Sequence, residues 1–355
     1  MTAVAASTSQ RARAERFTQL DAMRFFFALV VVLVHTIGFK LTLVHGAYAV
    51  DFFFVLSGFV LSHALISRPT SAQGFAWARI ARLYPLHLVT LAWMVVLVGG
   101  PRPEGPAEYS PAALALNLGL LQGLAILQVQ TWNFPSWSIS VEFLVNVLIL
   151  YPVVAMRSIV AAAAIVLASV LAILQSWGPV FDQFNLQEVH GTVLSGGLLR
   201  GTAGIVLGYL LYEAYLFARP RLDPRRYEIP ATCMEILAIG LIAYGLWVDD
   251  DRGWNMLPAP LSALLVWQMA TVPGRLSAIL RTKPFSALGN MSYSIYLLHV
   301  PLYLSFLGAG LLPMPDTGLR PVWFGYFTLL MLLAAASFRY VERPLQQRLM
   351  RLFGT

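Results

Sequence analysis

Arg24 and His35 stand eleven residues apart within the first long apolar stretch of the chain, LDAMRFFFALVVVLVH. At 100° per residue that interval is three helical turns plus about 20°, so one helix face carries both, about 16 Å apart along its axis. A cation and a titratable imidazole therefore look into the protein interior from a single apolar helix. Inserting Arg at membrane depth costs about 2.5 to 3.5 kcal/mol, so such a group is retained where it faces a cavity, a partner or a substrate. The imidazole has the chemistry of a general base or a nucleophile.

Other residues add charge and proton-transfer capacity. In WNFPSWSISVEFLVN, Ser138 and Glu142 are one helical turn apart at the start of a span, with Trp132 and Trp137 marking an interface. A carboxylate there faces either solvent near the rim or the bundle interior beside His35, where it would orient the ring and stabilise its protonated form. Asp51 in VDFFFVLSGFVLSHAL sits close in sequence to the His35 end of the first span, where it either meets the imidazole or caps its own helix. Gly58 reads as a helix-packing residue. In WARIARLYPLH, Arg79 and Arg82 at i and i+3 project from one face. Paired guanidinium groups suit a phosphate, and the alternative is ordinary charge anchoring. Arg200, flanked by Gly201, Gly204 and Gly208, pairs with Glu142 or Asp51, lines a substrate path, or forms a purely structural ion pair. His299, near Tyr293 and Tyr296, reads as a polar residue of a buried helix. Glu342 and Arg343 read as a helix-end clamp to a cytoplasmic loop.

The elements that position these groups are membrane helices. Of the residues 58% are hydrophobic and 12% charged, more apolar surface than a soluble domain of this size can hide. Apolar segments long enough to span a bilayer start near Leu20, Tyr48, Pro85, Ala112, Ser140, Ser158, Val193, Pro230, Asn255, Ala287 and Pro321. The segment Ala112 to Gln130 is short and carries Asn117, Gln122, Gln128 and Gln130, as a half-inserted or re-entrant piece would. Without it there are ten spans. With both termini cytoplasmic, eighteen of the 24 Lys and Arg then lie on the cytoplasmic side, and only Lys40, Arg102, Arg252 and Arg320 lie outside. Counting the segment as a span leaves about eight inside and fourteen outside, against the positive-inside rule. The expected fold is thus all-α, a polytopic integral membrane bundle of about ten helices. Residues 1–19 and 346–355 are cytoplasmic tails, and 20–345 form the membrane domain.

The basic first nineteen residues lack a small-residue cleavage site behind the apolar run and do not read as a secretory signal. Cys233 is the single cysteine, which excludes an intramolecular disulfide and a Cys-rich metal site; it is expected to be a packed apolar side chain, and no metal is expected. The net charge of +7 comes without the aromatic-studded basic surface of nucleic-acid binding, so no nucleic acid is expected. No repeat relates the halves, which disfavours a secondary transporter.

These segments together resemble the acyltransferase 3 family, membrane O-acyltransferases of bacterial surface polysaccharides. The matching stretches stand in family order over almost the whole chain: LDAMRFFFALVVVLVH, VDFFFVLSGF, RIARLYPLH, SWSISVEF, GNMSYSIYLLHVP and FRYVERPL. The resemblance implies Arg24 and His35 as essential residues and Glu142 as the site carboxylate. It implies Arg79 and Arg82 as the pair linked to acyl-CoA; Asp51, Arg200, Tyr293 and His299 are further substrate-binding candidates beside them. Three positions depart from the family pattern: Phe143 stands where a second Glu is frequent, Val300 where Trp follows the late His, and Ala49 where Gly precedes Asp51. The chain ends at Thr355, so the SGNH hydrolase-like domain of some relatives is expected to be missing.

The resemblance further implies a multi-pass protein of the bacterial inner membrane with no bound cofactor, using acetyl-CoA or another acyl-CoA as donor. Its acceptor is a glycan or glycolipid hydroxyl outside the cytoplasm, in exopolysaccharide or lipopolysaccharide, or a secreted small molecule. Its partners are the bilayer and proteins of polysaccharide assembly. The CoA head docks at Arg79 and Arg82, and the thioester threads toward His35, which acts as general base or forms an acyl-imidazole. The rivals are a proton- or ion-coupled transporter and a non-enzymatic scaffold.

Overall fold

The computed structural model describes residues 16–36, 49–177, 187–189, 191–247, 258–312 and 321–354. The expected outer residues Lys40, Arg252 and Arg320, and most of the N-terminal tail, lie outside them. In chain order the helices are α1 (Thr18–Thr36), α2 (Ala49–Ser67), α3 (Ala72–Val98), α4 (Pro111–Leu118), α5 (Trp137–Val145), α6 (Tyr151–Met156), α7 (Ile159–Trp177), α8 (Gly196–Ala218), α9 (Glu228–Trp247), α10 (Pro258–Thr271), α11 (Arg275–Leu280), α12 (Lys283–Asn290), α13 (Ser292–Gly308), α14 (Pro321–Ser337) and α15 (Arg343–Phe353). Two π-helical turns, Asn146–Leu150 and Phe338–Glu342, join α5 to α6 and α14 to α15. Among the described residues there is no strand beyond one isolated bridge between Glu188 and Ser195.

The architecture is that of an all-α polytopic membrane protein. Among the described residues, eight helical stretches are long and apolar enough to cross a bilayer: 18–36, 49–67, 72–98, 134–156, 159–176, 196–218, 228–247 and 321–353. Helices α10, with 14 residues, and α13, with 17, are shorter. The first eleven residues of α13 are all buried, so this helix is central and reads as apolar all round.

Three expected boundaries move. Helix α3 begins at Ala72 rather than near Pro85, capped by Ser71, whose Oγ accepts from the Gly74 N–H at 3.1 Å. Its first three turns carry Arg79 and Arg82 toward the protein, so they read as polar in sequence although they are helical. The span expected from Ser140 begins at Trp137. The one expected from Ala287 is two helices, α12 and α13, which break at Met291. Cys233 is exposed on α9 instead of packed; it faces away from the bundle, where an apolar thiol meets lipid as well as it would meet a core.

Helices α2 and α8 lie in the closest contact, and glycine is the reason. A Cβ on Gly58 would stand 1.8 Å from the Ile205 carbonyl oxygen, and one on Gly208 2.2 Å from that of Val55. Small residues let the backbones approach, as the sequence implied. The segment after α3 is a broken insertion. The eight-residue α4 gives way to non-helical chain with Leu120, Gln128 and Trp132 at positive φ. Asn117 and Gln122 are buried and bonded within the protein, Asn117 Nδ2 donating to Thr131 Oγ1 at 2.7 Å and Gln122 Nε2 to the Ser136 hydroxyl at 3.1 Å, while Gln128 and Gln130 are exposed. Irregular backbone at membrane depth is tolerated where protein covers it.

We carry the ten-span count with cytoplasmic termini as a proposal with a direct test. In a Cys233→Ser background, a thiol reagent that cannot cross the membrane is expected to label a cysteine at Asp250 and to miss one at Arg225. The opposite pattern overturns this topology.

Candidate active site

The site grows from four helices. Arg24 lies six residues into α1, Ser57 near the middle of α2, Arg79 and Arg82 in the first half of α3, and Glu142 five residues into α5. Arg79 Nη2 bonds Glu142 Oε1, and Ser57 Oγ donates to that same oxygen at 2.9 Å. Asn146 Nδ2 donates in turn to Ser57 Oγ at 3.2 Å. Arg82 Nη1 bonds Glu342 Oε1, whose other oxygen accepts from Ser294 Oγ at 2.8 Å. Glu342 sits inside one π-helical turn, and Glu142 lies one helical turn before the other. Such turns widen the helix locally and recur at functional sites.

Arg24 differs from the other two arginines. Among the described residues it forms no ion pair or hydrogen bond, and its side chain lines a cavity of about 100 Å³ together with Ser57, Arg79, Arg82, Glu142 and Tyr293. Three guanidinium groups against two carboxylates leave one positive charge at this wall. The Arg82 guanidinium lies over the Tyr293 ring, 5.2 Å from its centroid, and the Tyr293 hydroxyl donates to the Leu83 carbonyl at 2.6 Å. The pair is thereby fixed at the cavity edge.

A second cavity of about 40 Å³ adjoins the first, sharing Arg24, Phe53, Glu142 and Tyr293, and continues to Ser138 and Tyr296. Ser138 Oγ and the Tyr296 hydroxyl are 2.7 Å apart. One turn beyond Tyr296 on α13 stands His299, which is fully buried, and its Nε2 is 3.0 Å from Nδ1 of half-buried His35. Phe134 meets the His35 ring edge-on, with centroids 4.8 Å apart.

The cavity thus brings together Arg24, Arg79, Arg82, Glu142 and Tyr293, with His35 and His299 one layer beyond. The expected contact of Glu142 with His35 is not formed. Glu142 lies about 7.5 Å along the axis from the start of α5, which puts it level with Ser57 and within reach of the long Arg79 side chain. Asp51 does not meet His35 either. Buried beside α8, it is held by Arg200 Nη2 at 3.0 Å to each carboxylate oxygen. Of the readings left open for Arg200, pairing with Asp51 is the one formed, and neither residue lines the two cavities. Glu342 clamps α3 and α13 rather than a loop. Ser57, Asn146, Ser294 and Asn133 carried no expected role; their signal was a polar side chain inside an apolar span. Among the described residues no cluster of His, Cys, Asp or Glu is placed to hold a metal ion.

A family model described as an acyltransferase domain matches residues 17–339, and the chain belongs to this family, acyltransferase 3. It is a membrane acyltransferase. Over 152 residues it is 36% identical to protein 2 in the picA locus of Rhizobium radiobacter, a match covering 37% of this chain and 80% of that protein. Over 153 residues it is 33% identical to the acyltransferase MdmB of Streptomyces mycarofaciens, covering 37% of this chain and 38% of that one. No solved structure matches.

Proposed function

We propose that the protein moves an acyl group, acetyl by default, from cytoplasmic acyl-CoA to a hydroxyl of an extracytoplasmic or lipid-linked glycan, in the bacterial inner membrane. The observation that carries this reading is the run of adjoining cavities from the three-arginine wall to Tyr296, one turn short of the His35–His299 pair. At about 100 Å³ the first cavity is well below the ~300 Å³ of pockets that enclose a drug-sized ligand, so it suits an extended arm and excludes a nucleotide. The nucleotide and its phosphates stay at the mouth, where Arg24 supplies unpaired charge. Arg79 and Arg82 keep spare N–H groups beside their carboxylate partners, since each guanidinium has five donors.

At the other end His35 takes the hydroxyl proton of the acceptor as its oxygen attacks the thioester carbonyl. The carbon–sulfur bond breaks, and the proton passes from His35 to the thiolate, releasing CoA thiol and the ester. Arg24 lies about 16 Å along α1 from this point, and Glu142 bonds Arg79 and Ser57 rather than His35, which suits both to holding the donor rather than to the proton transfer itself. The segment between α3 and α5, which brings Phe134 to His35, forms the acceptor's approach.

The test is acyl-CoA turnover by the purified protein in liposomes, read as free thiol released only when acceptor is present. Ion-gradient-driven uptake with no thiol release would overturn the reading in favour of a transporter. Arg79→Ala and Arg82→Ala are each expected to raise the KM for acyl-CoA about 10- to 100-fold, the equivalent of losing one charge-assisted contact, without changing the acceptor preference. An unchanged KM in both variants returns the pair to membrane anchoring.

A further inference from the structure

We propose that His299 is a positioning residue that decides which ring nitrogen of His35 carries the proton. The proposal rests on the reading of His35 as the group that receives the acceptor's proton. His299 Nδ1 lies 2.6 Å from the carbonyl oxygen of Tyr296, an atom that only accepts. In the neutral pair the assignment is then forced. His299 holds its hydrogen on Nδ1 and presents a lone pair at Nε2. The hydrogen in the 3.0 Å contact belongs to His35 Nδ1. Nε2 of His35 is left as the unprotonated nitrogen, and among the described residues nothing bonds it.

The ring geometry agrees. The two imidazoles are parallel to within 4°, with centroids 5.2 Å apart, the arrangement of rings meeting edge to edge along an in-plane lone pair. Accessibility separates the two roles: His299 is fully buried and cannot meet an acceptor, whereas His35 is half-buried. A ring nitrogen that fixes the tautomer of a neighbour through its own hydrogen bond is the usual device for presenting the opposite nitrogen to a substrate.

The backbone around His299 is built to hold this arrangement. Pro301 lies inside α13 and has no N–H, so the carbonyl of Leu297, four residues earlier, loses its helical donor. Asn133 Nδ2 fills that vacancy at 2.9 Å. Asn133 precedes Phe134, whose ring meets His35. The Tyr326 hydroxyl donates to the carbonyl of His299 itself at 2.9 Å. One proline thus ties the helix that carries His299 to the segment that packs against His35.

The decisive measurement is the ring-nitrogen NMR of the full chain labelled at histidine, with His35 assigned by its loss in His35→Gln. The wild type is expected to show His35 as the Nδ1–H tautomer, and His299→Phe to return it to the Nε2–H form that a free side chain favours. In turnover, His299→Phe is expected to lower kcat at least about 100-fold with the KM for acyl-CoA within twofold, since a wrong tautomer disables the base and leaves donor binding intact. His299→Gln, whose side-chain oxygen can accept from His35 Nδ1, is expected to keep kcat within about tenfold of wild type. An Nε2–H tautomer for His35 in the wild type, or wild-type kcat in His299→Phe, overturns the proposal. Full transfer by His35→Ala would instead overturn the role of His35 while leaving the tautomer result standing, so the two failures are told apart. The wild-type spectrum decides the question even if the phenylalanine variant does not fold.

Discussion

His35→Ala is expected to abolish acyl transfer while the protein still inserts and folds. The ring is half-buried at the end of α1, and its contacts are the hydrogen bond to His299 and the edge of Phe134. Removing it takes away the nitrogen that receives the acceptor's proton, a loss of at least about 10² to 10⁴ in rate for a general base. It also leaves His299 Nε2 without its donor. Water reaching the vacated space satisfies that atom, which keeps the stability cost near about 1 to 2 kcal/mol. Transfer of labelled acyl group by membranes carrying the variant, beside its gel-filtration profile and thermal midpoint in detergent, reads both effects. Product formation near the wild-type level would remove His35 from the chemistry. Loss of the folded protein would assign the residue to the fold instead.

The contrast between His35 and the carboxylates shows where sequence reasoning reaches and where it stops. The shared face of Arg24 and His35 follows from helical period alone, because both lie on one helix. Partner choice across helices does not follow from period. Glu142 bonds Arg79, 63 positions away, and Glu342 bonds Arg82, 260 positions away. Each pairing depends on the level at which a helix starts and on the π-helical turn beside the carboxylate, and neither leaves a mark on hydropathy. Asp51 and Arg200 were within reach of inference because each is near the start of its own helix and the two helices are packed by glycine. The broken segment of Ala112 to Gln130 was legible through its four amides, since such side chains cannot face lipid unpaired. The start of α3 was not, because the two arginines, at helical spacing, interrupt the apolar run and shift its apparent beginning to Pro85, although the helix begins at Ala72. The His35–His299 contact joins α1 to α13, and only the Pro301 in SYSIYLLHVP hinted that the helix there does something other than span.

The Asp51–Arg200 pair is expected to produce the largest change in stability. Both groups are buried, with relative exposures of 7% and 5%, and they join α2 to α8. Removing one partner strands the other charge, so Asp51→Ala and Arg200→Ala are each expected to cost about 3 to 5 kcal/mol. Replacing both together, Asp51→Leu with Arg200→Met, leaves no uncompensated charge and is expected to recover most of that loss, because a buried pair roughly breaks even against apolar side chains of similar volume. Thermal unfolding of the three variants in detergent gives the coupling directly, and acyl transfer measured on the same preparations separates two meanings of the pair. A stable double variant with near wild-type transfer makes it a structural bond between the two most closely packed helices. Single variants that stay stable but lose transfer would instead return Asp51 and Arg200 to the substrate path, and would require that the ion pair open during turnover.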